Sequence, residues 1–230
     1  MSRGEVQVRV GVGNVGRGLT AAVLLTGLAT GCSTTEENGS KSVSGAKASA
    51  KATADVARHG ETIGAAGSAC ELPVSFDTAE FWKPKAVDAE GEREKSGDLA
   101  ELADALLRQG PVTVACEIDA KPAGKIGFLR VYTGEPGDAD ARAVLKEFVA
   151  AEDGVSREKY RSFEAGDVTG TEVEYLTTSE LLEETKKERA LAVATPDGTV
   201  ILHLGGMDTE EHEAMLPAYE LAKSTLRVTA

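Results

Sequence analysis

The sequence predicts an α+β domain over residues 70–230, a mostly antiparallel sheet packed with helices, from three observations. Apolar residues recur first at spacing two and then at helical spacing, giving the order strand, helix, two strands, helix, four strands, helix. Pro196-Asp197-Gly198 stands between two aliphatic runs, which is a hairpin signature. Val173 and Tyr175 alternate with Glu172 and Glu174, the pattern of a sheet with one wet face.

Each element has its own local reason. Residues 72–79, LPVSFDTA, alternate as a strand and run into a loop at Phe81-Trp82-Lys83-Pro84-Lys85. Residues 87–97 are charged and contain glycine, which predicts a surface loop. Leu99, Leu102, Ala103, Leu106 and Leu107 repeat at helical spacing up to the stop signal Gly110-Pro111. VTVACEI (112–118) and IGFLRVYT (126–133) predict strands around the turn Lys121-Pro122-Ala123-Gly124. After Glu135-Pro136-Gly137-Asp138, a helix over about 139–151 puts Val144, Leu145, Phe148 and Val149 on one face. KYRSFEA and TGTEVEYLT follow as strands joined through Gly166-Asp167, and ALAVAT and TVILHL are the arms of the hairpin. A helix over about 209–226 closes the domain, with Met215, Tyr219, Ala222 and Leu226 in line and Pro217 expected to kink or restart it.

Upstream the composition changes. Residues 1–31 carry Arg3, Arg9 and Arg17 against Glu5, residues 32–69 are balanced, and residues 70–230 hold 18 basic and 33 acidic side chains. All five Phe, all four Tyr and the only Trp lie in the last part, so only that part can build a core. The net charge of −13 excludes the basic footprint a nucleic-acid binder needs.

Arg17 precedes an apolar run from Leu19 to about Leu28, too short to span a bilayer and the right size for the core of a secretory signal peptide. It ends Leu28-Ala29-Thr30-Gly31-Cys32-Ser33, which resembles the lipobox of bacterial lipoproteins. The usual pattern places Leu three residues before Cys; here Ala29 stands there and Leu28 is one place further out. The resemblance implies cleavage after residue 31 and acylation of Cys32, with palmitate among the chains. Two or three acyl chains at about 0.8 kcal/mol per buried CH₂ hold a protein stably on a membrane. The expected location is therefore the extracytoplasmic face of a cell membrane. Residues 33–69 are rich in Ser, Ala, Gly, Thr and Lys and are expected to be a disordered tether with a reach of roughly 30–36 Å.

The other cysteines, Cys70 and Cys116, are an even pair in an exported chain, which suggests a disulfide; two buried thiols are the alternative. Closing that loop is worth about 4 kcal/mol in the chain-entropy treatment. The Phe81-Trp82 loop after an early strand, the strand at Gly170 to Tyr175, the Pro196 to Gly198 hairpin and the closing helix ending Ser224-Thr225-Leu226-Arg227-Val228 carry a further likeness. Over residues 70–230 the domain resembles the PsbP-like α-β-α sandwich, including the LpqN-type lipoproteins of actinobacteria. That resemblance implies a Gram-positive envelope and a binding or assembly module without a catalytic centre.

The chemistry-bearing motifs agree with this expectation. GxSxG, HExxH, a Walker loop and CxxC are absent, and the GxGxxG string at Gly11 to Gly16 lies in the signal peptide without a βαβ unit. His203 and His212 with Asp208 and Glu211 are a weak metal set, and Asp208, Asp138 and Asp140 read better as helix caps. No metal and no cofactor is expected. Trp82, Lys83 and Lys85 in one loop, with Lys121, Lys125 and Arg130 in or beside the next hairpin, form a candidate surface for an anionic ligand or partner if Trp82 is exposed; a core Trp82 with scattered lysines is the alternative. The functional expectation is a membrane-anchored, non-catalytic binding, accessory or regulatory module with a protein partner at the envelope. A small-ligand or lipid carrier with a pocket between sheet and helices is the alternative, and an envelope-directed hydrolase a remoter one.

Overall fold

The computed structural model describes residues 56–137 and 139–229. The signal peptide, Cys32, the tether through residue 55 and Asp138 lie outside the described residues. The elements in chain order are β1 (His59–Ile63), β2 (Val74–Ala79), β3 (Lys83–Ala86), α1 (Ala89–Ser96), α2 (Ala100–Leu107), β4 (Arg108–Gln109), β5 (Val112–Asp119), β6 (Gly127–Gly134), α3 (Ala141–Ala150), β7 (Ser156–Ala165), β8 (Val168–Ser179), β9 (Glu184–Thr195), β10 (Gly198–Gly206), α4 (Thr209–Ser224) and β11 (Arg227–Val228).

The main sheet runs β3-β5-β6-β10-β9-β8-β7, with β4 also pairing β5, and all of these pairs are antiparallel. On one face α3 packs Leu145, Phe148 and Val149 against Val114, Tyr132, Val173 and Ile201. On the other, α4 and the small sheet β1-β2-β11 pack Met215, Tyr219, Phe76 and Val74 against Leu191, Val193, Leu202 and Leu204. This is the expected α+β domain, an α-β-α sandwich. Both helices open on the aspartates the sequence nominated: Asp140 accepts from the Ala143 amide (3.0 Å) and Asp208 from that of Glu211 (2.8 Å).

Six details depart from the sequence reading. Residues 57–69 belong to the fold and not to a tether. β1 pairs β2, and Ile63 is fully buried. The following turn needs Gly64, whose φ is +107° and where a Cβ would lie 1.9 Å from the Val74 carbonyl oxygen. Composition missed this because the strand HGETI contributes backbone hydrogen bonds and a single apolar side chain. β3 replaces the expected loop: KPKA is an edge strand, where lysines and a missing N–H discourage further pairing.

Residues 89–96 are helical although none is buried. Asp88 caps the helix, Glu90 and Glu92 sit in its first turn and Arg93 and Lys95 in its last, so dipole and cap act where no apolar stripe exists. The predicted Leu99–Leu107 helix forms, but Leu99, Leu102 and Leu106 are exposed, Leu106 by 77%. Glu172 does not face water, because α4 covers it and both Arg161 (2.7 Å) and Lys223 (3.2 Å) bind its carboxylate. Finally, α4 runs through Pro217 as one helix.

Cys70 and Cys116 are disulfide-bonded, with their Cα atoms 6.0 Å apart. A bulge makes this possible. The β5–β6 register shifts between Val114, which faces Tyr132, and Cys116, which faces Val131. Val112 and Val114 therefore pack toward α3, whereas Cys116 and Ile118 pack toward α4 and the small sheet. Replacing both cysteines by alanine is expected to cost about 4 kcal/mol, read as a lower urea midpoint; an unchanged midpoint would remove the bridge from the stability of the domain.

Candidate functional site

The set Trp82, Lys83, Lys85, Lys121, Lys125 and Arg130 does not form the exposed aromatic and basic surface considered from the sequence. Trp82 is buried, and the exposed aromatic is its neighbour Phe81, at a left-handed φ of 69°. Lys83 and Lys85 stand opposite Asp119 and Glu117 across the β3–β5 pair. Arg130 binds Glu117 at 2.7 Å and covers the Phe128 ring. Lys121 begins a 3₁₀ turn whose amide is held by Asp119, and Lys125 lies just beyond it. Three of the cations thus face carboxylates, so the row alternates in charge.

A polar constellation lies instead on the α3 face of the sheet, and the alternation of three strands builds it. Tyr175 on β8 stands opposite Glu188 on β9, and Thr177 opposite Lys186. His203 on β10 stands opposite Ala190, two residues along from Glu188. Tyr175 donates to Glu152 (2.9 Å), and His203 Nε2 lies 3.2 Å from both the Tyr175 hydroxyl and Glu188. A carboxylate partner calls for a donor, which places the His203 proton on Nε2. Lys186 closes the chain on the other Glu188 oxygen at 2.7 Å and also donates to the Gly206 carbonyl. Tyr175, Glu188 and His203 are buried, and each has at least one partner, although His203 Nδ1 has none.

The environment separates the two carboxylates. Burial raises the Glu152 carboxyl above its ordinary value, and nearby Glu188 adds to this, against opposing pulls from His203, the Tyr175 hydroxyl and Lys186. Glu188 is more deeply desolvated, yet the His203 hydrogen bond and charge together with Lys186 hold it below the ordinary value. Burial and both carboxylates push the Tyr175 hydroxyl well up. His212 on α4 is buried without a partner for Nδ1, and desolvation lowers it to about 4.

Beside the constellation opens a cavity of about 880 Å³ beneath the β8–β9 hairpin, bounded by the segment after α3 and the β10–α4 connection. Glu152 and Lys186 reach its wall, with Thr177, Thr178 and Thr185 supplying hydroxyls and Leu181, Leu182 and Met207 apolar surface. Gly154 fixes the segment after α3. Its φ is +69°, its carbonyl accepts from the Thr178 amide, and a Cβ there would lie 2.2 Å from the Thr178 oxygen. That clamp holds Glu152 over Tyr175. Among the described residues, no three His, Cys, Asp or Glu side chains converge as a metal-ligand set. Asp208 caps α4 by accepting from the Glu211 amide, and the Glu211 carboxylate accepts from the Ile126 amide.

The sequence reading passed over Glu152, Tyr175, Lys186 and Glu188 as site residues. A signal existed: counting by two from Ala190 and Ala192 puts Glu188 and Lys186 on the inward face, and His203 interrupts an otherwise apolar run.

The family model of an uncharacterised lipoprotein matches residues 40–226. The solution structure of cyanobacterial PsbP (CyanoP) from Synechocystis sp. PCC 6803 is similar at 12% identity and a TM-score of 0.46, over 73% of this chain and 97% of that one. No curated protein matches the chain significantly.

Two outcomes follow from the buried groups. Tyr175→Phe strands the Glu152 and His203 polar atoms and is expected to cost about 1–3 kcal/mol by urea denaturation. His212 has a folded-state value below its unfolded one, so the unfolded chain takes up the proton first as pH falls. Its contribution is complete above about pH 6.5 and is lost toward pH 4, by about 3 kcal/mol. His212→Gln should show that much less acid destabilisation over this window than the wild type.

Proposed function

Because the chain belongs to the uncharacterised lipoprotein family, we propose that it is a membrane-anchored extracytoplasmic protein, acylated on Cys32, whose domain binds a small ligand without catalysis. The observation that carries the ligand reading is the cavity under the β8–β9 hairpin. It is of ligand size, and it combines hydroxyls, a half-buried carboxylate and exposed leucines. The absence of catalysis is supported by the constellation behind it. His203 Nε2 and Tyr175 are committed to each other and to Glu152 and Glu188, and neither of the two side chains lines the cavity. Among the described residues no helix is long and apolar enough to cross a membrane.

An accessory role at the envelope has one observation on its side. Leu99, Leu102 and Leu106 are exposed at helical spacing beside Asp98 and Glu101, which fits a protein groove with a basic rim. The anchoring is tested by fractionation. Wild type should leave membranes only in detergent and incorporate labelled palmitate, and Cys32→Ala should do neither; a wild type free of membranes ends the proposal.

A further inference from the structure

We propose that the cavity selects an organic cation, a primary ammonium group on an apolar chain; this rests on the ligand-binding reading above. Charge is the first reason. Glu152, Asp153, Glu180, Glu184 and Asp208 line the cavity, and among the described residues none of the five is ion-paired. The single cation in the wall, Lys186, is already bound by Glu188 at 2.7 Å. The cavity therefore presents uncompensated negative charge, which repels carboxylates and phosphates and concentrates cations.

Buried polar groups give the second reason. Thr177 is 5% exposed and lines the cavity, yet its Oγ1 has no hydrogen-bond partner. A buried hydroxyl without a partner is costly, and a ligand donor would satisfy its lone pairs. Glu152 has only the Tyr175 hydroxyl to replace its lost hydration, and burial accordingly raises its carboxyl. An ammonium group carries three donors and a full charge, so it can serve both residues at once.

The third reason separates an organic cation from a metal ion. The carboxylates do not converge as a ligand set, and the mouth carries Leu181, Leu182 and Met207, exposed by 91%, 65% and 57%. A hydrated ion has no use for these side chains, whereas an alkyl chain buries them.

Isothermal titration of the detergent-solubilised full chain with hexylammonium, hexanol and hexanoate, against detergent alone, tests the head group at constant chain length. Saturable binding is expected for hexylammonium, at least about tenfold weaker binding for hexanol and none for hexanoate. Glu152→Gln and Thr177→Val should each weaken hexylammonium about tenfold without lowering the urea midpoint. Equal binding of hexanol, an unaffected pair of variants, or displacement by equimolar calcium chloride would overturn the cation assignment and leave the ligand cavity standing. If no probe binds, native mass spectrometry of the membrane-extracted protein separates the two failures. A co-purifying small molecule overturns only the cation assignment, and bare acylated polypeptide overturns the ligand reading with it.

Discussion

A strand buried on both faces has no solvent to satisfy its side chains, and β10 is such a strand from Gly198 to Leu204. Val200, Leu202 and Leu204 enter the core beneath α4, while Ile201 and His203 enter the layer beneath α3. Removing these surfaces from water at about 25 cal/mol per Å² is the favourable term that requires a helix on each side of the sheet. The same burial makes any polar group left unpaired in either layer costly. Two ionic networks follow, one on each face of β8 and β9. On the α4 side Glu172, Arg161, Lys223, Glu220, Arg189 and Glu174 join the helix to the sheet. On the α3 side the Glu152, Tyr175, His203, Glu188 and Lys186 chain ends at a cavity.

The two networks differ in charge balance. On the α4 side the cations match the carboxylates, as expected for groups that fasten a helix. On the α3 side the chain terminates in Glu152, which has one hydroxyl donor and no cation, next to a threonine without any partner. An incomplete buried network beside a cavity is the arrangement expected of a binding surface, since the missing partner can arrive with a ligand.

The strands and the two core helices were legible because apolar spacing follows the backbone period, and the caps Asp140 and Asp208 because short polar side chains favour those positions. The disulfide partners were legible from number and compartment. What was not legible was the face. VTVACEI alternates without a break, yet the bulge near Ala115 sends Val114 to one layer and Cys116 to the other. Trp82 and Phe81 are adjacent in a loop whose composition cannot say which is buried, and a left-handed turn at Phe81 decides it.

The sequence by itself determined the class of the domain, the order of its principal strands and core helices and the likeness of its amino terminus to a lipoprotein signal, because these depend on local periodicity and composition. The tertiary structure alone decided that residues 57–69 join the sheet, that Glu172 is covered and that Glu152, Thr177 and Lys186 share one cavity wall. Those outcomes depend on pairings between segments distant in the chain, where one shift of register moves a side chain from water to core.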